Sequence, residues 1–218
     1  MEGSWGHQKH DHGDRGRGDV NILFATSNPH KIEEVEAILA PHGIKVGSLS
    51  DLESIPPEPV EDADTFEGNA RLKAIGYARA TGRRCLADDS GLEVDALNGA
   101  PGVHSARYSG VDGDRAVRDA ANNQLLLSEL EPVPEHLRTA RFVCAMCVAD
   151  PDGTIVAESR GHFEGLITTR ARGQNGFGYD PLLWLPEDGC TSAELPPVEK
   201  NRRSHRGSAT RLLLENLS

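Results

Sequence analysis

The sequence lacks the features that would assign it to a membrane or secreted protein. No apolar run approaches the ~18 residues that a membrane-spanning helix needs, and residues 1–19 hold no apolar stretch of a secretory signal. The chain also lacks an excess of positive charge, because 34 Asp and Glu outnumber 23 Lys and Arg and the net charge is −11. A general nucleic-acid binder would show a basic face. We therefore expect a cytoplasmic protein that binds neither membranes nor nucleic acid.

Cysteine is scarce, and its spacing does not form a metal or redox motif. The four cysteines are Cys85, Cys144, Cys147 and Cys190. Cys144 and Cys147 lie in a β-rich run, where residues three apart point to opposite faces of a strand. No second Cys or Cys/His pair has metal-ligand spacing, so we expect buried, reduced cysteines rather than a zinc centre. Their number fits a reducing compartment.

The first apolar run is not followed by a glycine-rich nucleotide-binding motif. Neither a Walker loop nor Gly-x-Gly-x-x-Gly follows Val20–Ala25, which disfavours both of those nucleotide-binding folds. The polar segment Thr26–Lys31 follows instead, and Asn28 is a good cap for a helix. A helix N-terminus with Thr26 and Lys31 as further donors favours a phosphate site. A simple helix cap with a surface lysine is an equally good interpretation.

The segment Leu86–Val94 is the clearest candidate for a catalytic or metal-binding site. Two adjacent carboxylates, Asp88 and Asp89, end a short apolar run, and the pattern predicts a strand, a tight loop and a second strand. Desolvating carboxylates is costly unless a cation compensates. Mg²⁺ prefers carboxylate oxygens and bridges to phosphates, and Glu61 upstream could add a ligand. The alternative, which this motif alone favours, is an acidic turn in which Gly91 has a positive φ.

Two segments near the C-terminus are candidates for binding an anion and a base. Lys200–Gly207 is a basic cluster in an acidic chain, and Gly176–Asp180 places two glycines around Phe177. Local cations can hold a phosphate on an acidic protein, and an aromatic ring between glycines can stack on a base. A solvated loop and a turn into a strand remain the alternative interpretations.

The order of the predicted elements indicates an α/β fold with a mixed central sheet flanked by helices. We expect a disordered tail over residues 1–19, whose histidines form no fixed site, and a single domain over residues 20–218. Predicted strands are Val20–Ala25, Thr139–Ala149, Thr154–Ser159, Phe163–Ile167 and Tyr179–Trp184. Predicted helices start at Pro29 and at Asp64 or Thr65 (with an Asp64–Glu67 capping box), and cover Ala116–Leu130 and Ser208–Leu217.

Six segments in a fixed order carry a resemblance to a known family. They are Thr26–Lys31, Thr65–Ala70, Ala87–Leu92, Gly99–Tyr108, Gly176–Pro181 and Ser204–Gly207. Together they resemble the non-canonical purine nucleoside triphosphate pyrophosphatases, also called inosine/xanthosine triphosphate pyrophosphatases. The resemblance covers about Val20 to Leu217 and is specific because all the motifs occur in order.

The resemblance implies a Mg²⁺-dependent enzyme that converts ITP, dITP and XTP to the monophosphate and pyrophosphate. It also implies an elongated sheet, two lobes with a central substrate cleft, and a homodimer. Transferred by position, Asp89 and Glu61 would hold the metal, with Asp88 as a further ligand, and Asp89 would act as the base. The substrate-binding residues would be Thr26, Ser27, Asn28, Pro29, His30, Lys31, Ser90, Phe177, Gly178, Tyr179, Asp180, Lys200, His205 and Arg206.

Two positions depart from the family pattern. Ser27 stands where the family often has glycine, and Gly68 stands where many members have a second glutamate. The second departure leaves the number of acids near the metal open and gives more weight to Glu61 and Glu67. Two other functions fit these residues: a non-catalytic sensor that holds a purine nucleotide, and a pyrophosphatase for other damaged nucleotides such as modified pyrimidines. The adjacent acids argue against the sensor, because binding a polyanion alone does not call for them.

Overall fold

The computed structural model describes residues 20–217, and the tail predicted over residues 1–19 lies outside the described residues. The strands are β1 (Val20–Phe24), β2 (Ile44–Ser48), β3 (Cys85–Val94), β4 (Thr139–Ala149), β5 (Ile155–Ile167), β6 (Leu183–Leu185) and β7 (Cys190–Thr191). The α-helices are α1 (Pro29–Leu39), α2 (Phe66–Thr81), α3 (Arg115–Glu129), α4 (Pro197–Arg203) and α5 (His205–Asn216). None of these helices is long and apolar enough to cross a membrane.

The strands of the described chain form one mixed sheet of seven, in the order β2-β1-β3-β4-β5-β6-β7. β1 is parallel to β2 and to β3, whereas every later pair is antiparallel. The predicted α/β fold with a mixed central sheet is therefore confirmed. β4 has the predicted bounds, Thr139–Ala149.

Helices cover both faces of the sheet and build two of its cores. α2 packs on one face through residues such as Phe66 and Ala74. α1 and α5 pack on the other face, where Val35 is fully buried. Cys147 belongs to the first core and Cys144 to the second. The prediction that these two cysteines are buried on opposite faces is confirmed, and both are free thiols.

β3 is one continuous strand, so the predicted tight loop after Asp88 is wrong. Its 10 residues all pair with β4 without interruption. Gly91 does not have the positive φ that a turn would require. A Cβ at this position would collide with Ser105 Oγ and the carbonyl oxygen of Gly102. Gly91 is therefore needed because a neighbouring loop approaches the strand closely, not because the chain turns.

β5 is also one strand, where two were predicted at Thr154–Ser159 and Phe163–Ile167. Gly161 lies between the predicted strands and continues the pairing with β4. A Cβ here would collide with backbone atoms of His205 and Ala209. Gly161 thus lets α5 pack directly against the sheet.

The strand predicted at Tyr179–Trp184 is shortened to β6 by a turn in its first half. The side chain of Asp180 accepts the N–H of Phe177 at 2.8 Å, which folds this part of the chain back on itself. Pro181 follows and cannot donate to a sheet. Only the residues from Leu183 onward are free to pair with β5.

The basic cluster Lys200–Gly207, for which a solvated loop was the alternative interpretation, is helical. It forms α4 and the beginning of α5, which starts at His205 rather than at the predicted Ser208. Ser204 has an extended backbone, so it ends α4, and its Oγ accepts the N–H of Gly207 at 3.0 Å to cap α5. One serine therefore turns the chain between two helices.

The caps of α1 and α2 show one prediction confirmed and one wrong. Asn28 caps α1 as predicted. Thr65 caps α2 by accepting the N–H of Gly68 at 3.1 Å. The capping box predicted between Asp64 and Glu67 is wrong, because the cap is one residue later and Glu67 forms an ion pair with a β5 arginine instead. β2 has no counterpart among the predicted strands.

Candidate active site

A cleft opens beside β3 because β1 is much shorter than β3. β1 ends at Phe24, which pairs with Leu86, whereas β3 continues to Val94. Asp88 and Asp89 lie two and three positions after Leu86, where the edge of β3 is no longer covered by β1. Because successive strand residues alternate, the two carboxylates point to opposite faces of the sheet at this opening.

Asp88 points to the face covered by α1 and α5, where cations surround it. It is only 1% exposed, and Lys31 Nζ lies 2.9 Å from both of its oxygens. Arg206 Nε lies 3.3 Å from Asp88 Oδ2. Arg206 also donates to Glu34 Oε2 at 2.8 Å and to Ser90 Oγ at 3.2 Å. We call these five residues the Asp88 network.

The charges of the Asp88 network stabilise one another. Burial alone would raise the pKa of Asp88, but Lys31, Arg206 and Lys73 hold it well below its usual range. Burial alone would lower the pKa of Arg206, but Asp88 raises it further above its usual value. Asp88 is therefore ionised, and both of its oxygens orient cations that face the cleft.

Asp89 points to the α2 face and has a different environment. Asn69 Nδ2 donates to Asp89 Oδ2 at 3.0 Å. Burial raises the pKa of Asp89; Lys73 opposes this, whereas the carboxylates of Glu61 and Asp88 add to it. Lys73 Nζ pairs with Glu61 at 2.9 Å and donates to the main-chain oxygen of Asp88 at 3.1 Å. The Lys73 ammonium group therefore contacts Glu61 and the Asp88 main chain directly, whereas it acts on Asp89 only through its charge.

The acids on the α2 face do not form a complete metal cage. Among residues 20–217, no group of three or more His, Cys, Asp or Glu side chains is arranged to hold a metal ion. Asp89 and Glu61 share this side, whereas Asp88 lies on the opposite face of β3. Asp88 as a ligand beside Asp89 stays a prediction, and this geometry disfavours it. Two carboxylates suit an ion that takes its other ligands from water and phosphate.

A cavity of about 440 Å³ lies between the loop after β1 and helix α2. We call it the polar cavity. Its lining residues are Ala25, Thr26, Ser27, Lys31, Leu49, Ile55, Pro56, Glu58, Lys73, Tyr77 and Asp88. Lys31 and Lys73 enter it from α1 and α2, so two cations and the donors of the loop are available to an anion.

A second cavity, of about 290 Å³, lies on the α5 side, and we call it the aromatic cavity. His205 in its wall stacks on Phe142 with the ring centroids 5.2 Å apart. Burial, Arg206 and Lys200 lower the pKa of His205 well below its usual value, so the imidazole is neutral. Its buried Nδ1 has no hydrogen-bond partner within the described residues. The cavity therefore presents an uncharged ring nitrogen that a ligand could satisfy.

The two cavities meet at the Asp88 network. Arg206 lines the aromatic cavity. Its partner Asp88, and Lys31, which also bonds to Asp88, line the polar cavity. Asn28 lines the first and its neighbour Ser27 lines the second, so the loop after β1 also runs between them. A single ligand with a flat ring at one end and a polyanion at the other could occupy both.

The segment Gly176–Asp180, which we call the aromatic loop, has its shape fixed by one buried carboxylate. Asp180 accepts the N–H of Phe177 at 2.8 Å, the Ser192 hydroxyl at 2.8 Å and Lys200 Nζ at 2.5 Å. Gly176 has φ +78°, and a Cβ there would collide with Asp180. Asp180 and Lys200 thus shape the wall of the aromatic cavity as well as line it.

The structure brings most of the predicted site residues to these two cavities. Those in the aromatic cavity are Asn28, Ser90, Phe177, Gly178, Tyr179, Asp180, Lys200, His205 and Arg206. Those in the polar cavity are Thr26, Ser27, Lys31 and Asp88. Asp89 and Glu61 lie together on the α2 side of β3. Pro29 and His30 are exposed on the first turn of α1 and line neither cavity.

Sequence reasoning missed residues on three helices, and the first is Glu34 of α1, which pairs with Arg206 at 2.8 Å. Asn69 and Lys73 of α2 contact Asp89 and the Asp88 main chain. They lie four positions apart beside the apolar stripe of α2, which is a usable signal that they share a face. The other missed residues, which line the aromatic cavity from α3, are Arg115, Arg118 and Asp119.

A sequence profile described as the Ham1 family matches residues 22–216 of the chain. The chain belongs to the Ham1 family. The profile covers both cavities and all six motifs on which the predicted family membership depends, and that prediction is confirmed.

Curated proteins of the Ham1 family match the chain over nearly its whole length. It is 48% identical over 201 residues to a dITP/XTP pyrophosphatase of Thioalkalivibrio sulfidiphilus, and the alignment covers 91% of this chain and 98% of that protein. It is 50% identical over 194 residues to a dITP/XTP pyrophosphatase of an Exiguobacterium species, and this alignment covers 89% of the chain and 95% of that relative. The match is therefore to complete relatives, not to one shared segment.

Solved Ham1 structures have the same fold. A HAM1 protein from Coxiella burnetii superposes with a TM-score of 0.81 at 38% identity, covering 91% of this chain and 98% of that one. A nucleoside-triphosphatase, or dITP/XTP pyrophosphatase, from Mycobacterium abscessus gives a TM-score of 0.72 at 45% identity, covering 89% and 99%. The mixed sheet described above is thus the Ham1 fold.

Proposed function

We propose that this protein hydrolyses non-canonical purine nucleoside triphosphates (ITP, dITP and XTP) to the monophosphate and pyrophosphate, and so removes them from the nucleotide pool. The names of its relatives support this activity. The observation that carries the proposal is the contact between the aromatic and polar cavities through Arg206, Asp88 and Lys31. This arrangement offers a base site and a polyphosphate site that are physically joined.

The aromatic cavity would select a purine with an oxygen at position six. Arg206 has five N–H donors, and three of its nitrogens bond to the Asp88 network, which leaves donors for a ligand. A guanidinium group cannot accept a hydrogen bond, so the amino group of adenine would leave buried donors unpaired. The ring of Phe177 would stack on the base.

The polar cavity would hold the triphosphate. Lys31 projects from the first turn of α1, where backbone N–H groups and the helix dipole also favour an anion. Thr26 and Ser27 line the cavity on the same side, and Lys73 faces them from α2. The lysines would therefore neutralise the phosphates from two directions.

A divalent ion, Mg²⁺ in this proposal, would be held by Asp89 and Glu61 with phosphate and water as the other ligands. The raised pKa of Asp89, caused by burial and by the neighbouring acids Glu61 and Asp88, fits a site in which a cation belongs. When bound, such an ion stabilises the negative charge that develops on the leaving pyrophosphate.

Asp89 would also act as the general base in an in-line attack of water on the α-phosphorus. A carboxylate with a raised pKa accepts a proton more readily than an ordinary one. Asn69 holds one of its oxygens at 3.0 Å and so fixes the direction in which the carboxylate faces the cleft.

A nucleotide panel with and without Mg²⁺ tests the proposal. Pyrophosphate release is expected from ITP, dITP and XTP in the presence of Mg²⁺, with ATP nearly inert. Equal turnover of ATP and ITP would contradict the base selectivity. Tight nucleotide binding without pyrophosphate release from any substrate would favour the sensor, and preferential turnover of modified pyrimidines would favour a different damaged nucleotide.

We further propose that the protein is a homodimer and acts in the cytoplasm. The first statement rests on the family resemblance. The second is supported by the four free cysteines, which suit a reducing compartment. Sedimentation equilibrium that gives the mass of one chain, 23.5 kDa, would contradict the dimer.

A further inference from the structure

One stripe of α3 faces the aromatic loop. Arg115, Asp119 and Asn123 are four residues apart in succession, so they lie above one another on one side of the helix. Each of the three contacts the dipeptide Phe177–Gly178. No sequence motif pointed to this helix, and its polar residues resemble those of an ordinary solvent-facing surface.

The three contacts differ in chemistry and fix different parts of the loop. The Arg115 guanidinium lies 4.1 Å from the ring centroid of Phe177. Asp119 Oδ2 accepts the N–H of Gly178 at 2.9 Å. Asn123 Nδ2 donates to the carbonyl oxygen of Gly178 at 3.0 Å. Both main-chain polar groups of this glycine are therefore held by side chains of α3.

Gly178 needs this support because of its backbone conformation. Its φ is +61°, a left-handed value that glycine adopts easily and also leaves easily. The direction of the Phe177 ring depends on the two peptide groups that flank Gly178. Asp180 fixes the N–H of Phe177, but the groups on the far side of the ring residue are fixed by Asp119 and Asn123.

We propose that Asp119 and Asn123 are positioning residues for base recognition: they hold Gly178 so that Phe177 presents its ring to the purine. The inference rests on the proposed function, because it requires a purine in the aromatic cavity. None of the residues that line the polar cavity comes from α3. The stripe therefore acts on binding of the base and leaves the phosphates and the reacting carboxylate in place.

Steady-state kinetics of Asp119→Ala and Asn123→Ala with ITP and Mg²⁺ test the proposal. Loss of one hydrogen bond to the loop is expected to raise KM by about tenfold for Asp119→Ala and by about threefold for Asn123→Ala, with kcat within about twofold of the wild type. Asp119→Asn keeps an acceptor oxygen and should restore most of the KM. Gln124→Ala, at the next and exposed position of α3, is the matched control and should change neither constant.

Inhibition by inorganic tripolyphosphate separates positioning from a general structural role. This anion has no base, so its inhibition constant should be unchanged in both alanine variants if α3 acts only on the aromatic cavity. A parallel rise in KM and in this inhibition constant would overturn the proposal, as would wild-type KM values in both variants. A wild-type enzyme that releases no pyrophosphate from ITP would instead overturn the proposed function. Thermal unfolding identifies a variant that fails to fold. If Asp119→Ala does so, Asn123→Ala decides, because it removes the other hydrogen bond to Gly178, and an unchanged KM in that variant counts against the proposal.

Discussion

Asp88 and Asp89 are adjacent in the chain, yet the sheet gives them opposite environments. Asp88 lies on the α1–α5 side with both oxygens bonded to Lys31 and one also to Arg206. Asp89 lies on the α2 side, where one oxygen accepts from the Asn69 amide and the other from the Ser90 N–H, both uncharged donors, and other acids are near. Burial raises the pKa of both carboxyls, but only for Asp88 do nearby cations outweigh it.

This difference in environment suits the two carboxylates to different roles in the site. A carboxylate whose oxygens are bonded to cations cannot take a proton or a metal ion without breaking those ion pairs, so Asp88 is suited to orient cations. A carboxylate whose hydrogen-bond donors are uncharged is suited to bind an ion and accept a proton, which is the role proposed for Asp89. Replacing each residue by its amide tests this division, because shape is kept while charge is removed.

The largest expected effect is on turnover by Asp89→Asn. Loss of the base should lower kcat for ITP by about 100-fold to 10,000-fold, while nucleotide affinity changes little because the two cavities are intact. Pyrophosphate release and equilibrium titration with ITP in the absence of metal measure the two quantities. Asp62→Asn, which removes the same charge from an exposed position next to Glu61, should stay near wild-type activity.

A small effect of Asp89→Asn on kcat would contradict the role of general base proposed for Asp89. The general base would then have to be sought elsewhere along the cleft. If the affinity for nucleotide fell together with kcat, Asp89 would be a substrate-positioning group rather than the base.

The next largest effect is on stability, for Asp88→Asn. Removing the charge leaves Arg206 and Lys31 without their shared partner inside the protein, and breaking a buried pair in this way costs about 3 to 5 kcal/mol. Urea unfolding near neutral pH measures the loss. Asp150→Asn is the matched control, because its partner Arg84 is about one-third exposed, and such a surface pair contributes less than about 1 kcal/mol.

Equal losses for Asp88→Asn and Asp150→Asn would show that the Asp88 network contributes no more than a surface pair. The two carboxylates would then differ only in their roles in the reaction and not in their contributions to stability. A loss of activity in Asp88→Asn is expected in either case, because Lys31 and Arg206 face the two cavities.

The parts of the fold predicted from the sequence are those with strong local signals. Asn28 and Pro29 mark the start of α1, and the bounds of β4 follow from a long β-rich run that ends at a turn. The continuity of β3 through Asp88 and Gly91 depends instead on pairing with β4, and that pairing joins residues far apart in the chain. Polar residues inside a strand therefore resembled a loop.

For the site, the sequence motifs located the right segments but not the faces on which their side chains meet. Nothing local shows that Asp88 turns toward Arg206, more than a hundred residues later in the chain, while Asp89 turns toward α2. Likewise, Asp119 lies on a helix whose polar sequence resembles a solvent-facing surface. Its proposed role follows only from its hydrogen bond to Gly178, which is far away in the sequence. Long-range contacts of this kind leave no short-range pattern to read.

The smallest expected effect is the pH dependence of stability, whose sign should differ between the two faces. In the protein freed of metal by EDTA, the folded pKa of Asp88 lies below its ordinary value of 3.8, so its stabilisation is present above that pH and is lost as the pH falls further. The folded pKa of Asp89 lies above 3.8, so any stability linked to its protonation is present below 3.8 and is lost as the pH rises through the folded pKa.

Asp89→Asn should therefore be slightly more stable than the wild type near neutral pH, by about 1 kcal/mol or less, and the two should converge at about pH 3. The Asp88→Asn deficit should instead shrink as the pH falls below 3.8, because the wild type then loses the contribution that the variant never had. Urea unfolding of the three proteins over a range of pH measures both trends. If Asp89→Asn were the less stable protein near neutral pH, the α2 face would already compensate its carboxylate, and the raised pKa would no longer support a cation there.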